Sequence, residues 1–495
     1  MRITLASFKV LLIALLLACA GPSSGEGEDV AAAASSGWNR EIVYFVIPDR
    51  FADSKPNAHD VDRSKPGYFH GGDWKGLTDQ LPYLDDLGIT ALWITPIVDN
   101  IDGFVDGAGF PDWAYHGYWA DDFNALDDRM GTEAELKALV DAAHARDMKV
   151  IVDVVFNHVG YGSDFVEAHP EWVRQGAQCG QDDQTSCLFG LPDLRTEKDD
   201  VVEHVLDAHA EWVRRIGFDG YRIDTAKHVA PAVLARNQQL VTRRFGSDFL
   251  TLGEVWGATA AALSSQYFEP GLMNGGIDFA FRGTTRDWLL GRGRTVAYAK
   301  GFLPRRHSHT QGAVLGHYLS SHDEPGLLHE LGGDRALFKL AAGLQMTSVG
   351  MPIIFYGEEV ARDIGEWPDN RSNMPWSSSA ILPGAGIAQD TDMLAFYREL
   401  IGIRRATPAL SMGTYQPVSY DGDLLVFARR WQGDTALIAV NRGSTQQSAT
   451  LTDASLLEQK KWIERLSDRE VTVSNGQLLL EVPPRTIWIL SPNSE

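Results

Sequence analysis

The chain has 495 residues, 44% of them hydrophobic and 22% charged, a composition that fills a large globular domain and at least one smaller one. Its formal net charge of −22 excludes a surface built for nucleic-acid phosphates, which demands basic patches. Aromatic residues reach 10%, with 14 Trp and 14 Tyr; core packing uses most of them, and platforms for sugar rings are a further use.

The first segment reads MRITLASFKVLLIALLLACAG. Arg2 and Lys9 supply positive charge, and the apolar run Val10 to Ala18 is too short to span a bilayer comfortably, the pattern of an export signal. Its end, LLAC, sets Cys19 after a small residue and resembles the lipobox of bacterial lipoproteins. The expectation is a signal region at 1–19 with lipid on Cys19, then a Ser/Gly/Glu/Ala-rich tether at 20–37. The alternative is a plain secretion signal. Ala20 and Gly21 lack the Asp that retains such proteins at the inner membrane, so an outer-membrane anchor is expected. With three cysteines in all and Cys19 lipidated, Cys179 and Cys187 remain as a close pair able to bridge a short loop in an oxidising compartment.

From residue 38 onward short apolar runs alternate with helical patterns. IVYFVIP (42–48), ITALWITP (89–96), KVIVDVVFNH (149–158), FDGYRID (218–224), FLTLGE (249–254), GGIDFAF (275–281), HYLSSHD (317–323) and MPIIFYGEE (351–359) read as eight strands. Segments such as 132–147 and 200–217 read as amphipathic helices between them. Buried strands alternating with helices predict a closed parallel (β/α)₈ barrel; a doubly wound open sheet is the alternative, and no G-x-G-x-x-G follows an early strand. The barrel is expected over 38–158 and 200–407. Residues 159–199, rich in Gly, Asp and Gln, predict an inserted subdomain after strand three. From 408 to 495, short strands with turn signals between them predict a C-terminal antiparallel β-sandwich.

Barrel active sites lie at the C-terminal ends of the strands. Charged residues cluster there: Asp153, Asn157 and His158 after strand three, Arg222, Asp224, Lys227 and His228 after strand four, Glu254 after strand five, His322 and Asp323 after strand seven. One strand-end Asp is more often a helix cap, but three carboxylates converging from separate strands repel one another and cost stability. Glycoside hydrolysis demands such a set, a carboxylate nucleophile and a protonated acid roughly 5–5.5 Å apart in a retaining enzyme. Arg222 and Asp224, two apart on one strand, point the same way, so the guanidinium keeps Asp224 ionised. Glu254 beside another carboxylate is suited to the acid/base role.

DVVFNH, GFDGYRIDTAKH, GEVW and SSHD, in this order, resemble the four motif regions of the α-amylase family (glycoside hydrolase family 13). LPDL (191–194), GMPIIFYGEE (350–359), AYHGYWADDF (114–123) and HGGDWKGL (70–77) are similar to further family segments. The resemblance spans residues 40 to 400 and extends into the C-terminal domain. It implies Asp224 as nucleophile, Glu254 as general acid/base and Asp323 as transition-state stabiliser, with Arg222 positioning the nucleophile. It also implies that His158 and His322 hydrogen-bond the sugar, that Tyr118 stacks on it with His116 and Trp119 nearby, and that Arg371 lies at the same subsite. Trp367 stands where the family often has an Asp. Lys227 and His228 resemble residues that receive the leaving sugars.

The resemblance further implies calcium, held by Asn157, Asp193 and the carbonyl of His228, with a backbone group of the insert at Thr185 or Ser186 as the fourth ligand, and a second calcium near Asp53 and Asp73. The implied function is a retaining endo-hydrolase of α-1,4-glucosidic bonds in starch, glycogen and maltooligosaccharides. A cyclomaltodextrinase or glucanotransferase is the alternative, and an inactive glucan-binding lipoprotein the remoter one. α-Glucans are the expected partners, the protein is expected as a monomer, and membrane contact is expected only through the lipid anchor.

Overall fold

The computed structural model describes residues 37–55, 61–106, 109–309 and 312–493; the signal, Cys19 and the expected tether up to residue 36 lie outside the described residues, while Gly37 opens a short 3-10 helix, Gly37–Arg40. Eight parallel strands close into a barrel in chain order: β1 (Val43–Val46), β2 (Ala91–Ile94), β3 (Lys149–Val155), β4 (Gly220–Asp224), β5 (Leu250–Gly253), β6 (Gly275–Ile277), β7 (Val314–Tyr318) and β8 (Met351–Phe355), with β8 back against β1. Nearly every strand residue is buried. Both faces of the sheet are covered, which is why the strands read as unbroken apolar runs.

The helices between them follow from local signals. Thr132 and Glu135 form a reciprocal capping box at the start of helix Glu133–His144, which satisfies two end N–H groups. Helix Asp199–Ile216 buries Val202, Val205, Leu206, Trp212 and Val213 along one face and stops at Gly217, whose φ of 97° suits only glycine comfortably. Among the described residues no helix is long and apolar enough to cross a membrane.

Two strands differ from their sequence readings. β7 begins at Val314, so SSHD lies in the loop beyond it. Glycine at 316 hid the strand's start, yet a Cβ there would come within 2.9 Å of Ile353 Cδ1, so close interior packing demands the missing side chain. β6 stops at Ile277, and Phe279 already opens helix Phe279–Leu289. The buried Asp278 between them pairs with Arg306 at 2.6 Å while its N–H still donates to the Gly316 carbonyl of β7.

The insert after β3 carries a short helix, Asp164–Ala168, and a two-stranded antiparallel ribbon of Val173–Arg174 with Asp193–Leu194. Cys179 and Cys187 are joined in a disulfide within it. In the C-terminal domain a six-stranded antiparallel sheet, Thr414–Asp421 through Thr486–Pro492, is faced by a two-stranded sheet of Gln447–Leu451 and Leu478–Val482. Leu424, Val426, Leu437, Trp462, Leu480 and Trp488 fill the space between them.

Two buried arginines stand at the junction of this domain with the barrel, Arg429 reaching across it and Arg404 tying barrel segments together beside it. Arg429 donates to the carbonyls of Thr414, Gly413 and Thr347. Arg404 donates to those of Met346 at 2.7 Å, Gly350 at 2.6 Å and Asn39 at 3.2 Å. Every acceptor is a backbone dipole.

Candidate active site

The centre of the site is one guanidinium. Arg222, 1% exposed, sits on β4 in register with Asp153 of β3. Its Nη1 donates to Asp153 Oδ1 at 2.9 Å and to Asp224 Oδ1 at 2.6 Å, and its Nη2 lies 3.0 Å from Glu254 Oε2. Period-two alternation places residues 222 and 224 on the inner side together, and Glu254 follows directly on the end of β5. Three carboxylates from three strands therefore share one buried cation.

The sequence places Asp153 among the strand-end charges but gives it no role. Besides Arg222 it accepts from Tyr118 Oη at 2.7 Å and from Trp93 Nε1 at 3.2 Å. Burial and the Asp224 charge push its carboxyl up to about 7, against the pull of Arg222. The signal was a charged residue in the middle of an apolar strand, but its partner appears only in the cross-strand register.

The turn after Asp224 is tight. Thr225 has φ 44° and ψ 37°, a left-handed conformation costly for a β-branched residue. Its N–H is thereby aimed at Glu254 Oε2, 2.9 Å away. Burial raises the Glu254 carboxyl to about 8, the charges of Asp224 and Asp323 add to this, and Arg222 opposes it. A carboxyl held protonated near neutral pH is equipped to donate a proton.

Asp323 enters from the loop after β7, its side chain 31% exposed. Arg371 Nη2 lies 3.2 Å from its Oδ1 and His322 Nε2 lies 3.4 Å from its Oδ2. Burial would raise this carboxyl, but His322, Arg371 and Arg222 hold it below the usual range. Arg371 Nε and Asn370 Nδ2 both donate to the His322 carbonyl at 2.8 Å, which fixes the loop. Glu254 thus keeps its proton while Asp323 is held ionised.

An aromatic wall borders the carboxylates. Tyr118 and His322 stack with centroids 5.4 Å apart, and Phe45 stacks on Trp93 at 3.9 Å. His116 accepts from the Tyr118 N–H through Nδ1 at 3.1 Å and meets Trp119 edge-on. Burial drives His158 and His116 below the usual histidine range and His322 to about 3, so these rings are neutral hydrogen-bonding groups at physiological pH. Trp367 lies under the Arg371 guanidinium at 4.5 Å.

Lys227 and His228 do not join the carboxylates. They face the insert, where Lys227 Nζ is 3.7 Å from Asp183 Oδ2 and His228 Nδ1 is 2.8 Å from the Asp183 carbonyl. Together with Trp256 and Tyr267, Lys227 lines a cleft of about 390 Å³. Trp256, 51% exposed, also borders the catalytic pocket beside Glu254 and Phe279; the motif GEVW contained it, but nothing in the sequence showed that it spans both spaces.

The Alpha amylase, catalytic domain family model matches residues 45–178 and 182–378, and the Alpha-amylase C-terminal domain model matches residues 413–490. The chain belongs to the α-amylase family, glycoside hydrolase family 13. Neopullulanase 2 of Thermoactinomyces vulgaris is 30% identical over 487 residues, covering 92% of this chain and 78% of that protein. The periplasmic α-amylase of Escherichia coli K12 is 29% identical, covering 78% of this chain and 71% of that one. The solved α-amylase of Geobacillus thermoleovorans, complexed with acarbose, superimposes with a TM-score of 0.79 at 29% identity over 92% of this chain and 99% of that chain. As a member of the α-amylase family, this enzyme is of a class whose relatives divide between hydrolases and transferases.

The residues expected to hold calcium in this α-amylase family member fit a divalent ion poorly. Asp193 is the one carboxylate of that set, and its Oδ2 already accepts from Arg174 Nη1 at 2.5 Å, while its Oδ1 is buried without a hydrogen-bond partner. Asn157 offers an amide oxygen, an ordinary calcium ligand, but a dication at Asp193 would lie beside a fixed guanidinium. At the expected second site, Asp53 pairs with Arg63 at 2.6 Å and Asp73 caps helix Trp74–Asp79 through the Gly76 N–H. Those carboxylates are committed to a guanidinium and a helix end.

Proposed function

We propose that the protein is a retaining hydrolase that cleaves internal α-1,4-glucosidic bonds of starch-like glucans. The observation that supports this most is Arg222 gathering Asp224 and Glu254 on one guanidinium while burial keeps Glu254 protonated. In the proposed reaction Asp224 attacks the anomeric carbon as Glu254 donates its proton to the departing glycosidic oxygen. A glycosyl ester on Asp224 and a free sugar hydroxyl result. Glu254, now ionised, takes a proton from water, which attacks the same carbon and releases Asp224. Asp323 stabilises positive charge developing on the ring, and the neutral His158 and His322 orient its hydroxyls. Arg222 and Asp153 position the nucleophile, and neither passes a proton. Lys227, His228 and Trp256 receive the departing sugars.

The open cleft beside Lys227 and Trp256 favours a chain that continues past the scissile bond. The neopullulanase and cyclomaltodextrinase relatives support a second reading in which cyclic or short α-glucans are preferred. Incubation with a blocked maltoheptaoside, amylose and β-cyclodextrin separates the two. Internal cleavage of the first two, abolished in Glu254→Gln, is expected; faster opening of β-cyclodextrin would favour the second reading, and binding without cleavage would sink both. Export and lipid attachment at Cys19 are part of the same proposal. Labelling with a radioactive fatty acid, lost in Cys19→Ser, tests them.

A further inference from the structure

We propose that Arg174 is the built-in cation that fastens the insert to the barrel, so that no divalent metal is needed at Asp193. The insert's ribbon sets Arg174 directly opposite Asp193 in antiparallel register, a position where opposite charges attract across the strands. This pairing is dictated by the backbone, since the two residues face each other on adjacent strands. Arg174 is 5% exposed and reaches two carboxylates, Asp193 at 2.5 Å through Nη1 and Glu197 at 2.6 Å through Nη2.

The pair stands where the insert leaves the barrel. His158, just past β3, bridges to Asp193. The Leu194 N–H donates to the Asn157 carbonyl at 2.9 Å, and the Val159 N–H donates to the Pro192 carbonyl at 3.0 Å. Whatever neutralises Asp193 therefore holds the insert, and with it Asp183, against Lys227 and His228. A buried carboxylate must be paired, and the guanidinium supplies the opposite charge at Oδ2 without depending on solution metal, although Oδ1 has no hydrogen-bond partner. Where an acidic insert residue would add charge for a dication, the chain has Thr185 and Ser186.

The test measures metal content and melting temperature on the full mature chain after dialysis against a chelator and after return of calcium chloride. Wild type is expected to melt at the same temperature in both and to hold no calcium that Asp193→Asn lacks. Arg174→Ala is expected to melt on the order of 5 °C lower, with part of the loss recovered by millimolar calcium, and Arg174→Lys is expected to melt between the two. Calcium retained equally by wild type and Asp193→Asn is bound elsewhere and agrees with the proposal. One equivalent of calcium in wild type that is lost in Asp193→Asn, with melting lowered by the chelator, would overturn it. So would an Arg174→Ala protein that melts like wild type. If Arg174→Ala does not fold, the wild-type and Asp193→Asn measurements decide alone.

Discussion

Buried arginines organise two distant regions of the molecule, and their partners differ in kind. At the open end of the barrel, Arg222 is surrounded by Asp153, Asp224 and Glu254. At the junction with the C-terminal domain, Arg404 and Arg429 donate only to backbone carbonyls. Burial pushes both of these guanidiniums down to about 9, with Arg306 adding to the effect at both and Arg404 adding to it at Arg429. At Arg222 burial pulls the same way, but Asp153, Glu254 and Asp224 outweigh it and carry the guanidinium well above the ordinary arginine range. Carbonyl dipoles neither titrate nor react, so an arginine among them can only fasten structure. Carboxylates do both, and a guanidinium shared among three of them sets which is charged and where it points.

The largest expected effect falls on the open end. Asp224→Asn should lower kcat by about 10⁴-fold or more, because the proposed nucleophile is lost while its shape is kept; steady-state hydrolysis of a blocked maltooligosaccharide measures it, and its melting temperature should stay near that of wild type. Arg222→Lys should follow, with a loss in kcat on the order of 10²-fold. A lysine point charge cannot hold Asp224 and Glu254 on two separate nitrogens. Equal kcat in Arg222→Lys would show that charge alone suffices at that position.

Arg429→Met should reverse the pattern. It leaves the carbonyls of Thr414, Gly413 and Thr347 without their donor and should lower stability by about 2–4 kcal/mol, with kcat unchanged at a temperature where the protein stays folded. Thermal melting alongside hydrolysis assays reads both.

The smallest effect is in pH dependence. Because Glu254, in its proposed role as general acid, must be protonated to donate, kcat/KM should fall as pH rises through about 8. Its folded pKa is raised above the ordinary 4.5, so its stabilising contribution is full below pH 4.5 and is lost as pH rises through 8. Glu254→Gln should flatten the decline in melting temperature across that window.

The same contrast explains what was legible in the sequence. β3, β4 and β5 are readable as apolar runs. Although a single strand-end charge is more often a helix cap, several together with the family motifs point to Asp224, Glu254 and Asp323, which the structure brings to one end of the barrel. β7 was read three residues late because Gly316, needed for close packing, looks like a strand breaker. Pairings across strands were not readable at all. Asp153 with Arg222 depends on the register of β3 and β4, and Arg174 with Asp193 depends on a ribbon closed across 18 intervening residues of loop and disulfide. Arg404 and Arg429 carry no local signal either, since an arginine destined for carbonyls is indistinguishable in sequence from one destined for solvent.

The central claim, that Asp224 and Glu254 divide nucleophile and acid/base roles around one guanidinium, is tested most directly by the anomeric form of the first product. Proton NMR of a blocked maltoheptaoside digested with enough enzyme to outrun mutarotation should show the α-anomer appearing first. The β-anomer appearing first would mean inversion by direct attack of water, and would contradict the assignment of Asp224 as a covalent nucleophile.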